Sequence, residues 1–319
     1  MLDRRDLKVI FMGTPEFAGT NLQALIDAGF DVRLVLCQPD KPVGRKHILT
    51  APPVKVMAQE NNIEVYQPDT LRNEEALAKL SSYEPDLIVT AAYGKILPSG
   101  ILDLPKYGCI NCHGSLLPAR RGASPVQRAI LEGDKVTGVT FMKMDVGMDT
   151  GDIIDKVEVV IDPNEHTESL MNRLAEASAD KLPDIIDRWV AGELNTTKQD
   201  EALATACPPI RPEEGEFDWS QDAVDIHNRV RALSAWPGAF VLKEDKKLKV
   251  LDSEVADEAA VPDELKNSIP GTVVKAKGEN LIVKCGNGFL KVKELQQPGG
   301  KRLRAIDCAH NFTVGSPII

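Results

Sequence analysis

Asn111 and His113 stand two positions apart in Cys109-Ile-Asn-Cys-His113, a short run that closes on Gly114. In an extended strand, residues i and i+2 share a face, so the carboxamide and the imidazole project together. A neutral amide donor beside an imidazole can hold an oxygen that gains negative charge during group transfer. Further along lies Met144-Asp-Val-Gly-Met-Asp149-Thr-Gly-Asp152, with carboxylates set among glycines. A carboxylate brought beside His113 would orient the ring and select its tautomer. Taken alone, Asn-x-His is more often a hydrogen-bonded amide and a packed ring, and Asp145 and Asp152 read equally well as solvated turn residues. The two segments together make the chemical reading worth pursuing.

Competing motifs fall on context. Cys109-Ile-Asn-Cys112-His113 has the spacing of a c-type haem attachment site. That chemistry needs export, and Met1–Lys8 carries both signs of charge with no apolar signal core. No second Cys/His pair has zinc-ligand spacing, so no metal is expected. Asp149-Thr150-Gly151 matches the aspartic-protease triplet, but the chain has no second Asp-Thr-Gly or Asp-Ser-Gly to share a proton with it. The Gly13–Gly19 turn lacks the G-x-G-x-x-G spacing that brings backbone amides to a pyrophosphate, which argues against a nicotinamide enzyme.

These segments must be positioned by repeated strand–helix units. Leu7–Met12 is a buried-strand run and Glu16–Ala28 an amphipathic helix stopped by Gly29. Strands follow at 32–37, 63–66, 86–92, 108–113, 136–144 and 152–161, with helices at 54–61, 72–82 and 124–132. Residues 38–53 hold four prolines and read as a long loop. A helix over 167–190 buries Leu170, Leu174, Leu182, Ile185 and Trp189, with Pro183 expected to kink or divide it. Alternation of this kind predicts an α/β fold, a Rossmann-like, mostly parallel sheet with helices on both faces. Its ligands belong beyond the carboxyl ends of the strands. Asn195 to Pro212 has no periodicity and reads as a linker. Short β segments at 239–243, 247–251, 272–276, 280–284 and 288–295 then suggest a small OB-like β-barrel.

The chain has 319 residues, 43% hydrophobic and 27% charged, enough for two folded domains. No apolar run approaches the roughly 18 residues of a membrane span. Six cysteines in this length read as cytosolic thiols rather than a disulfide framework. A cytoplasmic protein without membrane attachment is therefore expected. The net charge of −10 argues against a surface that is attractive to nucleic acid throughout. Residues 265–319 nevertheless carry nine basic and three acidic side chains, which suggests a local polyanion contact.

Gly108-Cys-Ile-Asn-Cys-His-Gly-Ser-Leu-Leu-Pro118, Arg121-Gly-Ala-Ser-Pro-Val-Gln127 and Met144–Asp152 together resemble the folate-dependent formyltransferase family. Gly13-Thr-Pro-Glu-Phe17, Gln38-Pro-Asp-Lys-Pro42, Ala92-Tyr-Gly94 and Phe217-Asp-Trp219 extend the likeness over most of the chain. The Gln38–Pro53 loop and the C-terminal region are similar to those members that act on methionyl-tRNA. The resemblance implies a catalytic domain over residues 1–194, a linker over 195–212 and a tRNA-binding OB-like domain over 213–319. It implies transfer of a formyl group from 10-formyl-tetrahydrofolate to the α-amine of methionyl initiator tRNA, for translation initiation. Asn111 and His113 would stabilise the oxyanion, and Asp149 would pair with His113 and help move the proton. Ser115, Leu116, Leu117 and Pro118 would line the folate site. Arg45 would meet the tRNA acceptor end, although the loop continues here as Lys46-His-Ile-Leu49 rather than with more glycine and lysine. No membrane and no obligatory protein partner are implied. The alternatives are a formyltransferase for a small amine, such as a nucleotide sugar or glycinamide ribonucleotide, and an RNA-binding module on an inactive formyltransferase fold.

Overall fold

The computed structural model describes residues 3–44, 47–243 and 246–319. The chain forms two compact units, one of Met1–Pro125, Val136–Val160 and Met171–Pro208, the other of Val126–Lys135, Ile161–Leu170 and Pro209–Ile319.

Up to residue 207 the elements are β1 (Lys8–Gly13), α1 (Glu16–Asp27), β2 (Asp31–Leu36), β3 (Lys41–Val43), β4 (Ile48–Thr50), α2 (Pro53–Glu60), β5 (Glu64–Tyr66), α3 (Glu74–Ser81), β6 (Leu87–Ala91), α4 (Ser99–Leu102), β7 (Cys109–His113), β8 (Arg121–Gly122), α5 (Pro125–Leu131), β9 (Val136–Lys143), β10 (Ile153–Val160), α6 (Thr167–Val190) and β11 (Ala206–Cys207). The main sheet runs β10-β9-β7-β6-β1-β2-β5. Strands β5, β2, β1, β6 and β7 are parallel, and β9 and β10 continue the sheet antiparallel. Val9–Gly13 is wholly buried, as expected for a central strand covered on both faces. Ile10, Met12, Leu34, Leu36 and Ile88 join Leu80 and Ile101 in one core. The capping residue Asn73 accepts from the Ala76 N–H at 3.0 Å, and Glu74 and Glu75 follow in the first turn of α3. Both features favour a helix start there.

The chain leaves β1 toward β2 and β5, then crosses back to β6 on the other side. In open α/β sheets such a reversal, here at the carboxyl ends of β1 and β6, is where ligands bind. Gly13 is required at that end: a Cβ would lie 2.4 Å from Ala18 Cβ and 2.8 Å from the Ala91 carbonyl oxygen.

Two expectations are corrected. Residues 38–53 are not loop throughout. Lys41, Pro42 and Val43 pair with Thr50, Leu49 and Ile48 in a hairpin. Three-residue strands containing a proline carry no readable alternation, which hid them in the sequence. Pro183 lies inside α6 without dividing it, and the helix runs from Thr167 to Val190. Within 195–208, Thr197 exchanges both backbone hydrogen bonds with Ile153, at 2.8 Å each, and β11 pairs with β8. These bonds hold the stretch at Ile153 and at β8.

The second unit contains α7 (Ala223–Ala232), β12 (Ala239–Lys243), β13 (Lys246–Val255), β14 (Val273–Lys277), β15 (Asn280–Lys284), β16 (Phe289–Gln296), β17 (Arg302–Arg304) and α8 (Ala305–Cys308). Its strands form an antiparallel sheet in the order β12-β13-β16-β15-β14, with β17 on β16. Among the described residues no ladder joins β12 to β14. Phe217 and Trp219 meet edge to face at 5.0 Å within its core. Among the described residues, no helix is long and apolar enough to cross a membrane.

Candidate active site

The end of β7 carries the two expected side chains. Thr90 lies opposite Asn111 in the β6–β7 register, and its hydroxyl donates to Asn111 Oδ1 at 2.8 Å. Thr90 is 2% exposed, so this bond is well shielded. With its oxygen engaged, Asn111 has an amide nitrogen that meets no protein partner among the described residues, and the residue is half-buried.

His113 is 6% exposed. Its Nε2 lies 2.9 Å from the Arg120 carbonyl oxygen. A carbonyl only accepts, so Nε2 carries a proton. Nδ1 faces Asp149 Oδ1 at 3.7 Å, an ion-pair distance longer than a direct hydrogen bond. Both ring nitrogens are thus directed at protein groups, and Asn111 offers the readier donor to an incoming oxygen.

Asp149 comes from the β9–β10 loop. Its backbone is left-handed, with φ 54°, a strain on the order of 1 kcal/mol for a non-glycine residue. The loop holds that conformation through its own bonds. Asp145 Oδ1 accepts from Thr150 Oγ1 at 2.6 Å and from the Gly147 N–H at 3.0 Å. A Cβ on Gly151 would meet the Lys143 carbonyl oxygen at 1.9 Å, so the loop closes only on glycine. The Gly122 N–H donates to Asp149 Oδ2 at 2.9 Å, leaving Oδ1 toward His113. Asp145 and Asp152 serve the turn and its surroundings, as Asp152 Oδ2 accepts from Thr196 Oγ1 at 3.1 Å.

The four residues expected to line a folate site divide. Ser115 is buried, and its hydroxyl closes the turn by donating to the Ala119 carbonyl at 2.7 Å. Leu117 is fully buried, with its N–H on Thr140 Oγ1 at 3.0 Å. Leu116 and Pro118 remain part-exposed. Arg45 falls outside the described residues. Beyond β6, Ala92 and Gly94 both take left-handed backbone, and Ile96 on the same loop is half exposed. Part-exposed apolar side chains of this kind suit a flat aromatic co-substrate.

Burial pushes the thiols of Cys109 and Cys112 up to about 12, which disfavours their thiolate forms at neutral pH. Among the described residues, no group of three or more His, Cys, Asp or Glu is placed to hold a metal ion. Sequence reasoning missed Thr90, the Arg120 carbonyl and Gln199. The β6–β7 register could have revealed Thr90. Gln199 lies in a stretch with no pattern to read.

Residues 7–186 match the family model described as formyl transferase, and 209–313 match that of the formyl transferase C-terminal domain. The methionyl-tRNA formyltransferase of Caldicellulosiruptor saccharolyticus is 44% identical over 310 residues, covering 97% of this chain and 98% of that protein. That of Geotalea uraniireducens is 46% identical over 308 residues, covering 97% and 96%. The chain belongs to the methionyl-tRNA formyltransferase family. Solved structures of formyltransferases share its fold. WlaRD, a sugar 3N-formyl transferase, superposes with a TM-score of 0.66 at 20% identity, covering 91% of this chain and 97% of that one. The N-formyltransferase of Helicobacter canadensis, solved with folinic acid and dTDP-3-aminofucose, gives 0.64 at 17% identity, covering 93% and 100%. In the methionyl-tRNA formyltransferase family and these sugar enzymes alike, the chain aligns over nearly the full length of its relatives.

Proposed function

We propose that this protein transfers the formyl group of 10-formyl-tetrahydrofolate to the α-amine of methionyl initiator tRNA, in the cytoplasm, to supply translation initiation. The observation that carries the reading is the convergence of Asn111, His113 and Asp149 at one sheet edge in a chain with full-length methionyl-tRNA formyltransferase relatives. The amine nitrogen attacks the formyl carbon, and the carbonyl oxygen becomes anionic. Asn111 Nδ2, held by the Thr90–Oδ1 bond, donates to that oxygen. His113 and Asp149 move the proton from the attacking amine to the departing N10, through water, as the bond from carbon to N10 breaks. Formyl-methionyl-tRNA and tetrahydrofolate leave. Leu116 and Pro118 face the pterin, and Ser115 and Leu117 keep the turn beneath them rigid. Residues 1–194 act as the catalytic domain. Residues 213–319 act as the tRNA-binding part, with the basic stretch 265–319 tracking phosphates. Arg45 joins them at the acceptor end.

The test is formylation of methionyl initiator tRNA by the purified protein with 10-formyl-tetrahydrofolate, with elongator methionine tRNA as control. Turnover of a nucleotide-sugar or ribotide amine instead of tRNA would select the small-amine reading. RNA binding without turnover of any amine would select a binding module. Lys277 and Lys301 are exposed in the basic stretch. Replacing either with Gln should weaken tRNA binding and lower its salt slope by about one counterion if that lysine contacts a phosphate. An unchanged slope for both removes them from the interface.

A further inference from the structure

Residues 196–207 reach the groups around Asp149 and His113 at several points. Thr196 Oγ1 donates to Asp152, and Thr205 Oγ1 accepts from the Arg120 N–H at 2.8 Å. Cys207 Sγ donates to the Arg120 carbonyl at 3.1 Å, the same oxygen that receives His113 Nε2–H. Gln199 does the most. Its Nε2 donates to the Asp149 carbonyl at 2.8 Å and to the Gly151 carbonyl at 2.7 Å. Its Oε1 accepts from Arg121 Nε at 3.0 Å. The residue after Arg121 is Gly122, whose N–H donates to Asp149 Oδ2.

These bonds close a ring. Gln199 grips the backbone of the Asp149 loop with its two protons and the β8 strand with its oxygen. The β8 strand in turn grips the Asp149 carboxylate. Among side chains, a carboxamide supplies two donors and one acceptor from a single planar group. Glutamate has no proton for the two carbonyls, and methionine of similar length has no hydrogen-bonding partner to offer. Asp149 also sits in a left-handed conformation that a non-glycine residue leaves readily unless its surroundings hold it.

We infer that Gln199 is a positioning residue for formyl transfer: it clamps the β9–β10 loop to β8 and so sets the Asp149 carboxylate against His113. The inference rests on the proposed part of Asp149 in the reaction. Arg121 is a member of the clamp, and its guanidinium is held in turn by Glu201 at 2.8 Å.

The experiment compares full-length Gln199→Met, Gln199→Glu, Asp149→Asn and the double variant Gln199→Met/Asp149→Asn. Formylation kinetics are read beside amide hydrogen exchange over residues 145–152. The expected result for Gln199→Met is a kcat lower by about 10–100-fold with KM for both substrates nearly unchanged, the cost of a misplaced group remote from binding. Gln199→Glu should lose as much or more. Adding Gln199→Met to Asp149→Asn should cost little further, because both remove the same contribution. Exchange over 145–152 should rise about tenfold or more while β1, β6 and β7 stay protected. Unchanged kcat, losses that multiply in the double variant, or exchange that rises across the whole unit would each overturn the inference. Absence of tRNA formylation by the unsubstituted protein would sink the functional reading instead. The exchange pattern of Gln199→Met would then decide the clamp, and unchanged protection over 145–152 would refute it.

Discussion

Each unit of the molecule buries a histidine, and the two are anchored alike. In the first, His113 Nε2 donates to the Arg120 carbonyl at 2.9 Å. In the second, His227 Nε2 lies 3.0 Å from the Pro163 carbonyl. The rings differ in what meets the other nitrogen. Opposite His113 Nδ1 stands the Asp149 carboxylate at 3.7 Å, and two residues before His113 on β7 is the half-buried Asn111, whose amide nitrogen meets no protein partner among the described residues. Opposite His227 Nδ1 stands the Ser253 hydroxyl at 3.1 Å, and Ser253 is itself 1% exposed. Burial is the main influence on His227 and pushes its pKa below the ordinary value, against the Pro163 hydrogen bond. It is a neutral brace, linking Pro163 to β13. Burial and a backbone anchor therefore do not distinguish the histidine proposed to react from a structural one. The partner of the second nitrogen and the access of substrate to its neighbours do.

That contrast can be broken by substitution. His113→Ala should reduce kcat for formylation by about 10²–10⁴-fold, the usual loss when an acid–base group is removed, with tRNA affinity close to normal. His227→Gln should leave kcat within a few-fold. Full activity of His113→Ala, measured by initial rates, would dissolve the distinction. Thr90→Val sharpens it on the amide side. Asn111 keeps its place in β7 but loses the donor that orients its oxygen, and kcat should fall by about tenfold. Steady-state rates at saturating folate would check this, and a change confined to KM would count against it.

The converse effects are on stability. His227→Gln should cost about 1–2 kcal/mol in urea unfolding, because the Ser253 and Pro163 groups are left buried with poorer partners. The pH dependence has a definite sign. The folded pKa of His227 lies below its ordinary 6.5, so the folded state binds that proton less readily than the unfolded chain. Its stabilising contribution is complete above 6.5 and is lost as pH falls toward the folded value. Unfolding midpoints measured from pH 7.5 to 5 should therefore decline, and decline less in His227→Gln. Equal slopes in both proteins would show that other groups govern this range.

The elements were legible where a period or a stop signal wrote them locally. The central strand Lys8–Gly13, the helix ended by Gly29 and the β12–β16 segments follow from apolar runs between glycine, proline and asparagine. The hairpin at Lys41–Val43 and Ile48–Thr50 did not, because three residues per strand give no alternation to count. Continuity of α6 through Pro183 was also illegible, since packing of Leu182, Ile185 and Ile186 overrides the propensity against proline.

Sequence by itself determined the pair Asn111 and His113, because the two-residue repeat of a strand fixes their common face without any knowledge of the rest. It also supplied the glycines that let the Asp149 loop turn. Only tertiary structure decided that Asp149 Oδ1 faces His113 while Oδ2 is held by Gly122, and that Gln199, 50 residues further along, grips the same loop. Such bonds join side chains to backbone atoms across long separations. They depend on where folded segments come to rest in space, and no local spacing encodes that.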